Sequence, residues 1–456
     1  MKVLLVITNI EGYHEVPYHF GLSSIFSYIK AKGHNPEIIS IRSKNEYKIF
    51  EDKVKSFKPN IVGYTSVSSQ FNIVRELSII AKKIDEIVFN VCGGVHPTLY
   101  PEDLLLSDAI DVFFVGESEI AFGDFIDKIE HGKDFRDTNN IVYKNNGILI
   151  KNPLNALVPE LDILPFPVKD LLFEEFIKTN GYAPFFFSRG CPFQCSYCSN
   201  HSLAKVYGLS RNHPRYRSVD SCIDEIKDAL SKYQFNTLWI MDDTFGLNKK
   251  WREEFCKKYP NEISLRFCVL LRPNVVDEDL IQSLKRSGCF RILFGVESGN
   301  DYVRNQIMNR NISTDQIINA FSLCRKYHIE TCALNIIGVP GETDKMIWDT
   351  INLNRKLRPT SSGLNIFYPY RGTQLGDKSF FDGLVDLKMY SQFSNERRDT
   401  VLRYPEDYRR KLRYYHQHWE LLVYPYDMKK RAKAILRKNK NLYDFLKRIK
   451  QRICSC

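Results

Sequence analysis

Residues 188–200 read Ser-Arg-Gly-Cys-Pro-Phe-Gln-Cys-Ser-Tyr-Cys-Ser-Asn and place Cys191, Cys195 and Cys198 in a CxxxCxxC spacing. The stretch follows an apolar run, Pro184-Phe-Phe-Phe-Ser188, so three thiols leave the end of a predicted strand together. Three thiolates this close suit an iron–sulfur cluster, whose irons are held by cysteine thiolates, usually four. Three ligands leave one iron open to a small molecule. A structural zinc usually draws four ligands from paired CxxC-type elements, and no matching second pair occurs in this chain.

Downstream of the cysteines, a strand–helix unit repeats. Strands are predicted at 184–188, 237–241, 265–271, 291–297, 332–338 and 364–368. Helices are predicted between them near 219–232, 249–258, 277–286, 314–327 and 345–357. Such a repeat builds an α/β barrel with its working face at the C-terminal strand ends. Six units, over residues 182–385, predict a partial (β/α)6 TIM-type barrel.

Upstream, residues 1–140 also alternate. Apolar strands at 2–9, 37–41, 61–66, 87–92 and 111–115 flank helices near 20–32, 46–57 and 71–83. Continuously apolar strands imply a parallel sheet covered on both faces, a doubly wound Rossmann-like domain. Ligands of such sheets sit beyond the carboxyl strand ends. The loops there are Gly93-Gly94-Val95-His96-Pro97 and Gly116-Glu117. Residues 141–160 read as a hairpin and 161–181 as a proline-bearing linker, so 141–181 forms the connection. Residues 386–456 form a basic, mostly helical extension, with helices near 405–422 and 428–450.

The 456 residues are enough for two or three domains, and 30 Phe and 25 Tyr argue against disorder. The net charge is +11, and residues 401–456, with 16 Lys/Arg against 5 Asp/Glu, carry all of it. The body is therefore neutral and the basic character belongs to the tail. Leu436, Leu442, Phe445, Leu446 and Ile449 lie between its lysines, a pattern suited to peripheral contact with an anionic membrane. A solvated helical face reads the same residues more simply. No RNA-binding fold is recognisable, so no nucleic-acid partner is expected. The apolar run after Met1 ends too early for a signal segment, and no run approaches the roughly 20 residues of a membrane span. The expected location is cytoplasmic. Cys92, Cys222, Cys256, Cys268, Cys289, Cys324 and Cys332 fall inside predicted elements and are expected to pack as small apolar residues.

The CxxxCxxC motif, with Tyr197 before its last cysteine, resembles the signature of the radical SAM superfamily. The likeness extends along the barrel. Asp242-Asp243 ends the second strand where that family binds the amino group of S-adenosylmethionine; which of the two faces the ligand stays open. Arg272 ends the third strand, placed to pair with a carboxylate. Glu297-Ser298 resembles the family's ribose- and carboxylate-contacting motif. Asn335 to Glu342, including Ile337 and Gly338, resembles the segment that flanks adenine, without its first glycine. Tyr368 to Leu375 resembles the sixth-strand Pro-x-x-Gly-Thr-x-Leu segment.

The N-terminal Gly93-Gly94-x-His96 and Gly116-Glu117 loops look like those of the cobalamin-binding members. The Asp-x-His-x-x-Gly loop of many corrinoid proteins is absent, so His96 is expected at the cofactor's edge and not on its metal. The resemblance implies a 4Fe–4S cluster on Cys191, Cys195 and Cys198, with S-adenosylmethionine and cobalamin as further cofactors. It implies reductive cleavage to a 5′-deoxyadenosyl radical, hydrogen abstraction from an unactivated carbon, and methyl transfer from methylcobalamin. A small-molecule or lipid-like substrate and an electron donor such as flavodoxin or ferredoxin go with that chemistry. Three alternatives remain open at this point: an empty N-terminal domain, a cyclisation or rearrangement, and a non-catalytic iron–sulfur binding module.

Overall fold

The computed structural model describes residues 1–11, 18–211, 213–392 and 396–438. Seven strands make the first sheet: β1 Lys2–Thr8, β2 Asn35–Ile41, β3 Ile61–Thr65, β4 Phe89–Gly93, β5 Val112–Phe114, β6 Ile141–Asn145 and β7 Ile148–Lys151. Their order is β2-β1-β3-β4-β5-β6-β7, parallel through β5 and antiparallel in the last two. The 2-1-3-4-5 order reverses between β1 and β3, the kind of crevice where doubly wound sheets bind ligands.

The all-apolar strands are explained by two cores. Val3, Leu5 and Ile7 of β1 face the helices Phe20–Ala31 and Glu119–Glu130. Leu4 and Val6 face the helices Tyr47–Phe57 and Phe71–Ile84. A strand covered on both sides has no polar face to show.

The second sheet holds six parallel strands in consecutive order: β8 Ala183–Phe185, β11 Thr237–Ile240, β12 Arg266–Leu271, β13 Cys289–Glu297, β14 Glu330–Ile337 and β15 Ser361–Ile366. The short β9 Ser188–Arg189 and β10 Arg215–Tyr216 pair antiparallel beside it. Alternation shows the shape. In β14, Thr331, Ala333, Asn335 and Ile337 are buried, while Cys332, Leu334 and Ile336 are half-buried. In β13, Ile292, Phe294 and Val296 are buried, while Leu293, Gly295 and Glu297 are half-buried. The buried set of β13 packs with helix residues such as Ile317 and Phe321. The half-buried set lines a concave face that remains open, as expected for a partial barrel.

The predicted tail helix appears as Glu406–Val423. Its Leu412, Tyr415 and Trp419 pack on Ile337, Leu364 and Ile366, and Trp419 Nε1 donates to Ser362 Oγ at 2.9 Å. It thus covers the outer face of β14 and β15. A further helix, Met428–Lys438, follows. Leu442, Phe445, Leu446 and Ile449 lie outside the described residues. Among the described residues no helix is long and apolar enough to cross a membrane.

Two expectations change. The hairpin β6–β7 belongs to the first sheet, paired to β5, so that sheet runs to Lys151 and does not end at 140. The connection 161–181 holds the helix Leu171–Asn180, capped by Asp170, whose carboxylate accepts from the N–H groups of Leu172 and Phe173. Gly181, at φ +79°, closes it in the left-handed region. Arg217 donates to the carbonyls of Leu164 and Pro165, both at 3.0 Å, and fixes the connection against the barrel.

Candidate functional site

Cys191, Cys195 and Cys198 are free thiols on the loop that leaves the first barrel strand. Burial pushes the thiols of Cys191 and Cys198 up, and the charges of Cys195 and Asp243 add to this at both. The donor set is three soft sulfurs with a cation beside them. Arg272 Nη1 lies 3.0 Å from Cys195 Sγ. That set fits a thiolate-ligated cluster, since soft sulfur donors select iron–sulfur clusters.

The loop is held by a collar from the segment after β13. Ser196 N donates to Met308 O at 3.1 Å, and Ser196 Oγ to Ile307 O at 2.7 Å. Asn309 Nδ2 donates to Gln194 O at 2.8 Å. Tyr197 accepts Arg310 Nη1 at 2.5 Å, and the same nitrogen lies 3.3 Å from Glu297 Oε1. Glu297 reaches this point through a register shift between β13 and β14 and a left-handed φ of +63°. A bulge with strained backbone re-aims a side chain, here toward the concave face. Burial raises the pKa of Glu297, opposed by Arg310.

The paired aspartates divide their work. Asp242 is fully buried, and its Oδ1 accepts from the N–H groups of Phe187 and Ser188 at 2.7 and 3.2 Å. It staples the strand end that carries the cysteines, and burial lifts its pKa to about 7. Asp243 turns the other way and lines a cavity of the molecule. Its pKa is raised by burial and lowered by a hydrogen bond with Asn200.

That cavity, about 500 Å³, lies between the two sheets. On one side are the strand-end loops of the first sheet, with Gly93, Gly94, Gly116 and Glu117. On the other are Gly190, Ser199 and Asn200, the residues flanking the cysteines, together with Asp243. Leu157, at the end of the hairpin segment, and Leu161, Leu164 and Pro167 of the linker form an apolar wall. Two glycines are structurally required. Gly94, at φ +102°, would place a Cβ 2.8 Å from Ser66 O, and Gly116, at φ +77°, one 2.1 Å from Tyr207 Oη. A roomy, mostly apolar cavity under a glycine-lined strand-end crevice fits a large flat cofactor.

The two sheets are tied by ions at its rim. Arg189 Nη2 meets Glu119 Oε1 at 2.5 Å, and Nη1 meets Glu117 Oε2 at 3.2 Å. Arg215 also pairs with Glu117 and donates to Val158 O at 2.6 Å. Glu117 is thus committed to two arginines, and its N–H donates to Tyr207 Oη at 2.6 Å.

Other predicted residues lie elsewhere. His96 is buried away from the cavity, its ring tilted against Phe71 at 4.5 Å, with Nδ1 3.2 Å from Ser68 Oγ and Nε2 3.2 Å from Asp103. Ile337 and Gly338 face the C-terminal helix through Leu412, because alternation sends Ile337 outward; its neighbour Ile336 packs on the side of Tyr197. Ser298 is fully buried, with Oγ on Thr350 Oγ1 and on the N–H of Asn300. Arg272 does not await a carboxylate. It is taken by Cys195, by Arg310 O at 2.6 Å and by the ring of Phe193 at 3.8 Å. Arg189, Arg215 and Arg310 carry no readable local signal, since their partners lie 13 to 165 positions away.

His19 is the histidine among the cavity-lining residues, at the head of the helix Phe20–Ala31. Its Nδ1 accepts Leu22 N–H at 3.1 Å, so Nε2 carries the proton and donates to Thr65 Oγ1 at 3.2 Å. Neither nitrogen is left for a metal. Burial lowers its pKa from 6.5 to about 4. The unfolded chain therefore binds the proton first, and His19 supports folding above pH 6.5 and progressively less as pH falls toward 4. Urea unfolding should show a loss of about 2 kcal/mol from this group by pH 5. His19→Asn, which keeps a cap, should flatten that slope; an unchanged slope would remove His19 as its source.

Residues 5–126 match the family described as B12 binding domain, and residues 185–353 the Radical SAM superfamily. Over 398 residues the chain is 30% identical to "Uncharacterized methyltransferase PH0819" of Pyrococcus horikoshii, covering 84% of each chain. It is 25% identical over 374 residues to the anaerobic magnesium-protoporphyrin IX monomethyl ester cyclase of Rubrivivax gelatinosus, covering 77% of this chain and 65% of that one. The fold is similar to that of the radical S-adenosylmethionine methyltransferase TsrM from Kitasatospora setae, solved with cobalamin and an iron–sulfur cluster bound. The TM-score is 0.69 at 16% identity, covering 83% of this chain and 75% of that one.

Proposed function

The chain belongs to the radical SAM superfamily and carries a B12 binding domain, and from that premise we propose that it methylates an unactivated carbon of a small-molecule substrate. When bound, the cluster, S-adenosylmethionine and cobalamin supply a 5′-deoxyadenosyl radical to remove the hydrogen and a methyl group to replace it. One observation carries the reading. A single cavity is walled by the glycine loops of the first sheet and by the residues on both sides of the cysteine motif.

The chain's own residues then orient and enclose. Cys191, Cys195 and Cys198 hold the cluster. Asp243, the aspartate that faces the cavity, accepts the ammonium group of S-adenosylmethionine in charge-assisted hydrogen bonds. Asp242 fixes the backbone at Phe187 and Ser188, and so the exit angle of the cysteine loop. Gly93, Gly94 and Gly116 would let the backbone approach a bound corrinoid closely, and Leu157, Leu161 and Leu164 would exclude water beside it. An external one-electron donor such as flavodoxin or ferredoxin completes the system.

The methyltransferase relative, matched over most of both chains, supports methyl transfer. The cyclase relative supports ring closure as a second reading. The test is anaerobic reconstitution with iron, sulfide and cobalamin, then reduction in the presence of S-adenosylmethionine. Expected are 5′-deoxyadenosine and a corrinoid spectrum that survives gel filtration. A fully iron-loaded chain that forms no 5′-deoxyadenosine overturns the radical reading. A product heavier by one methyl group separates methylation from ring closure.

A further inference from the structure

We infer that Arg272 sets the reduction potential of the iron–sulfur cluster, and that Arg310 is the positioning residue that holds Arg272 to the task. The inference rests on the cluster assignment above. Arg272 follows β12, is 7% exposed, and spreads its guanidinium over four partners. Nη1 meets Cys195 Sγ at 3.0 Å, Nη2 donates to Arg310 O at 2.6 Å, and Nε donates to Asn274 Oδ1 at 3.2 Å. The ring of Phe193, itself in the cysteine loop, covers one face at 3.8 Å. Among the described residues no carboxylate forms a salt bridge with Arg272. A cation this buried, without a carboxylate, is complemented by the sulfur it touches.

Arg310 is 4% exposed and makes the arrangement rigid. Its Nη2 donates to Gly295 O at 2.5 Å, and its Nη1 serves Tyr197 and Glu297. Asn309 and Asn311 on either side both have left-handed backbone, φ +51° and +53°. The side chain therefore ties to β13 a short, sharply turned segment that is also held by the Arg310 N–H on Arg304 O at 3.1 Å. The Arg310 carbonyl aims Arg272 Nη2, and with it Nη1 at the thiolate. Gly295 keeps the space open, since a Cβ there would stand 2.6 Å from Glu297 Oε1 and 3.0 Å from Arg310 Nη2.

A hydrogen bond to a ligating sulfur and a buried positive charge beside it both favour the state with one more electron, so they raise the potential. The experiment is a redox titration of the anaerobically reconstituted full chain, followed by the electron paramagnetic resonance of the reduced cluster, without substrate. Arg272→Gln removes the charge and should shift the reduction equilibrium by at least about tenfold toward the oxidised cluster, ~59 mV for one electron. Arg272→Lys keeps charge but not the fork and should shift it less. Arg310→Lys leaves Arg272 in place yet should shift the potential in the same direction.

Iron and sulfide content separates a folding defect from tuning. If Arg272→Gln fails to load, Arg272→Lys and Arg310→Lys decide. Variants loaded like the unmodified chain, with its potential, overturn the inference while leaving the cluster assignment standing. An unmodified chain that takes up no iron overturns both.

Discussion

Replacing Cys191, Cys195 or Cys198 by alanine should leave a folded chain that no longer holds iron and whose cleavage of S-adenosylmethionine falls to background. On the function proposed above each would supply one of three protein ligands, so the loss should exceed the roughly 10–100-fold that removal of a ligand's hydrogen-bond partner costs. Folding should survive because the loop's stability comes from elsewhere. Ser196 is bonded to Ile307 and Met308, Asn309 to Gln194, and the N–H of Leu375 to Ser196 O at 2.8 Å. The comparison that gives the result meaning is Cys92→Ala and Cys324→Ala. Both side chains are fully buried in apolar cores and neither lines the cavity. They should cost about 1 kcal/mol of stability and no cleavage activity. Iron content, circular dichroism and 5′-deoxyadenosine yield read the three quantities separately. A motif variant that retains iron and cleavage would remove that cysteine from the ligand set.

The fold was legible where residues act on near neighbours. The continuous apolar run of β1 reports burial on both faces, and two distinct cores do receive its alternate residues. Six βα units read correctly as a six-stranded parallel sheet in sequence order, because consecutive placement is what short right-handed connections produce. The hairpin at 141–151 was visible as a hairpin, but its attachment to β5 depends on a sheet edge that local pattern does not reveal. At the site, the cysteines and the Asp242–Asp243 pair were legible as chemistry. The direction each aspartate takes was not, since it is set by two backbone N–H groups more than fifty residues upstream. Ile337 shows the same limit in another form. A strand's period of two means that a motif placed one residue off swaps the concave face for the helix side. His96 follows a glycine pair at a strand end, the pattern of a ligand loop, but Phe71, Ser68 and Asp103 hold it under the sheet's end. The arginines were hidden for a different reason. An arginine pairs wherever the chain brings a carboxylate, and sequence spacing carries no trace of that.

Arg189→Ala should loosen the two sheets from one another and lower the stability of the full chain by about 3 kcal/mol, near the low end for breaking a buried pair. The argument starts from Glu119, whose side chain is 6% exposed and whose charge is balanced by Arg189 at 2.5 Å. Burial pushes the Glu119 pKa up, but Arg189 and the hydroxyl of Ser24, at 2.8 Å, more than offset it, so it ends below the ordinary value. Removing the guanidinium leaves a buried carboxylate with only neutral donors, the Ser24 hydroxyl and a backbone N–H. Glu117 loses one of its two arginines at the same time but keeps Arg215. The damage should therefore concentrate at Glu119, and a double-mutant cycle tests that. Arg189→Ala with Glu119→Gln should recover much of the loss, because the amide needs no counter-charge. Arg189→Lys should recover part, since one ammonium cannot serve both carboxylates as the forked guanidinium does. Urea unfolding of the full chain measures the stability. Retention of cobalamin through gel filtration measures the cavity, whose lining includes Arg189, Glu117 and Glu119 alike. Arg189 also stands two residues before Cys191, so this ion pair fixes the entry of the cysteine loop relative to the first sheet. A loss below about 1 kcal/mol, with cobalamin retained, would mean that the apolar wall at Leu157, Leu161 and Leu164 holds the two halves together without it.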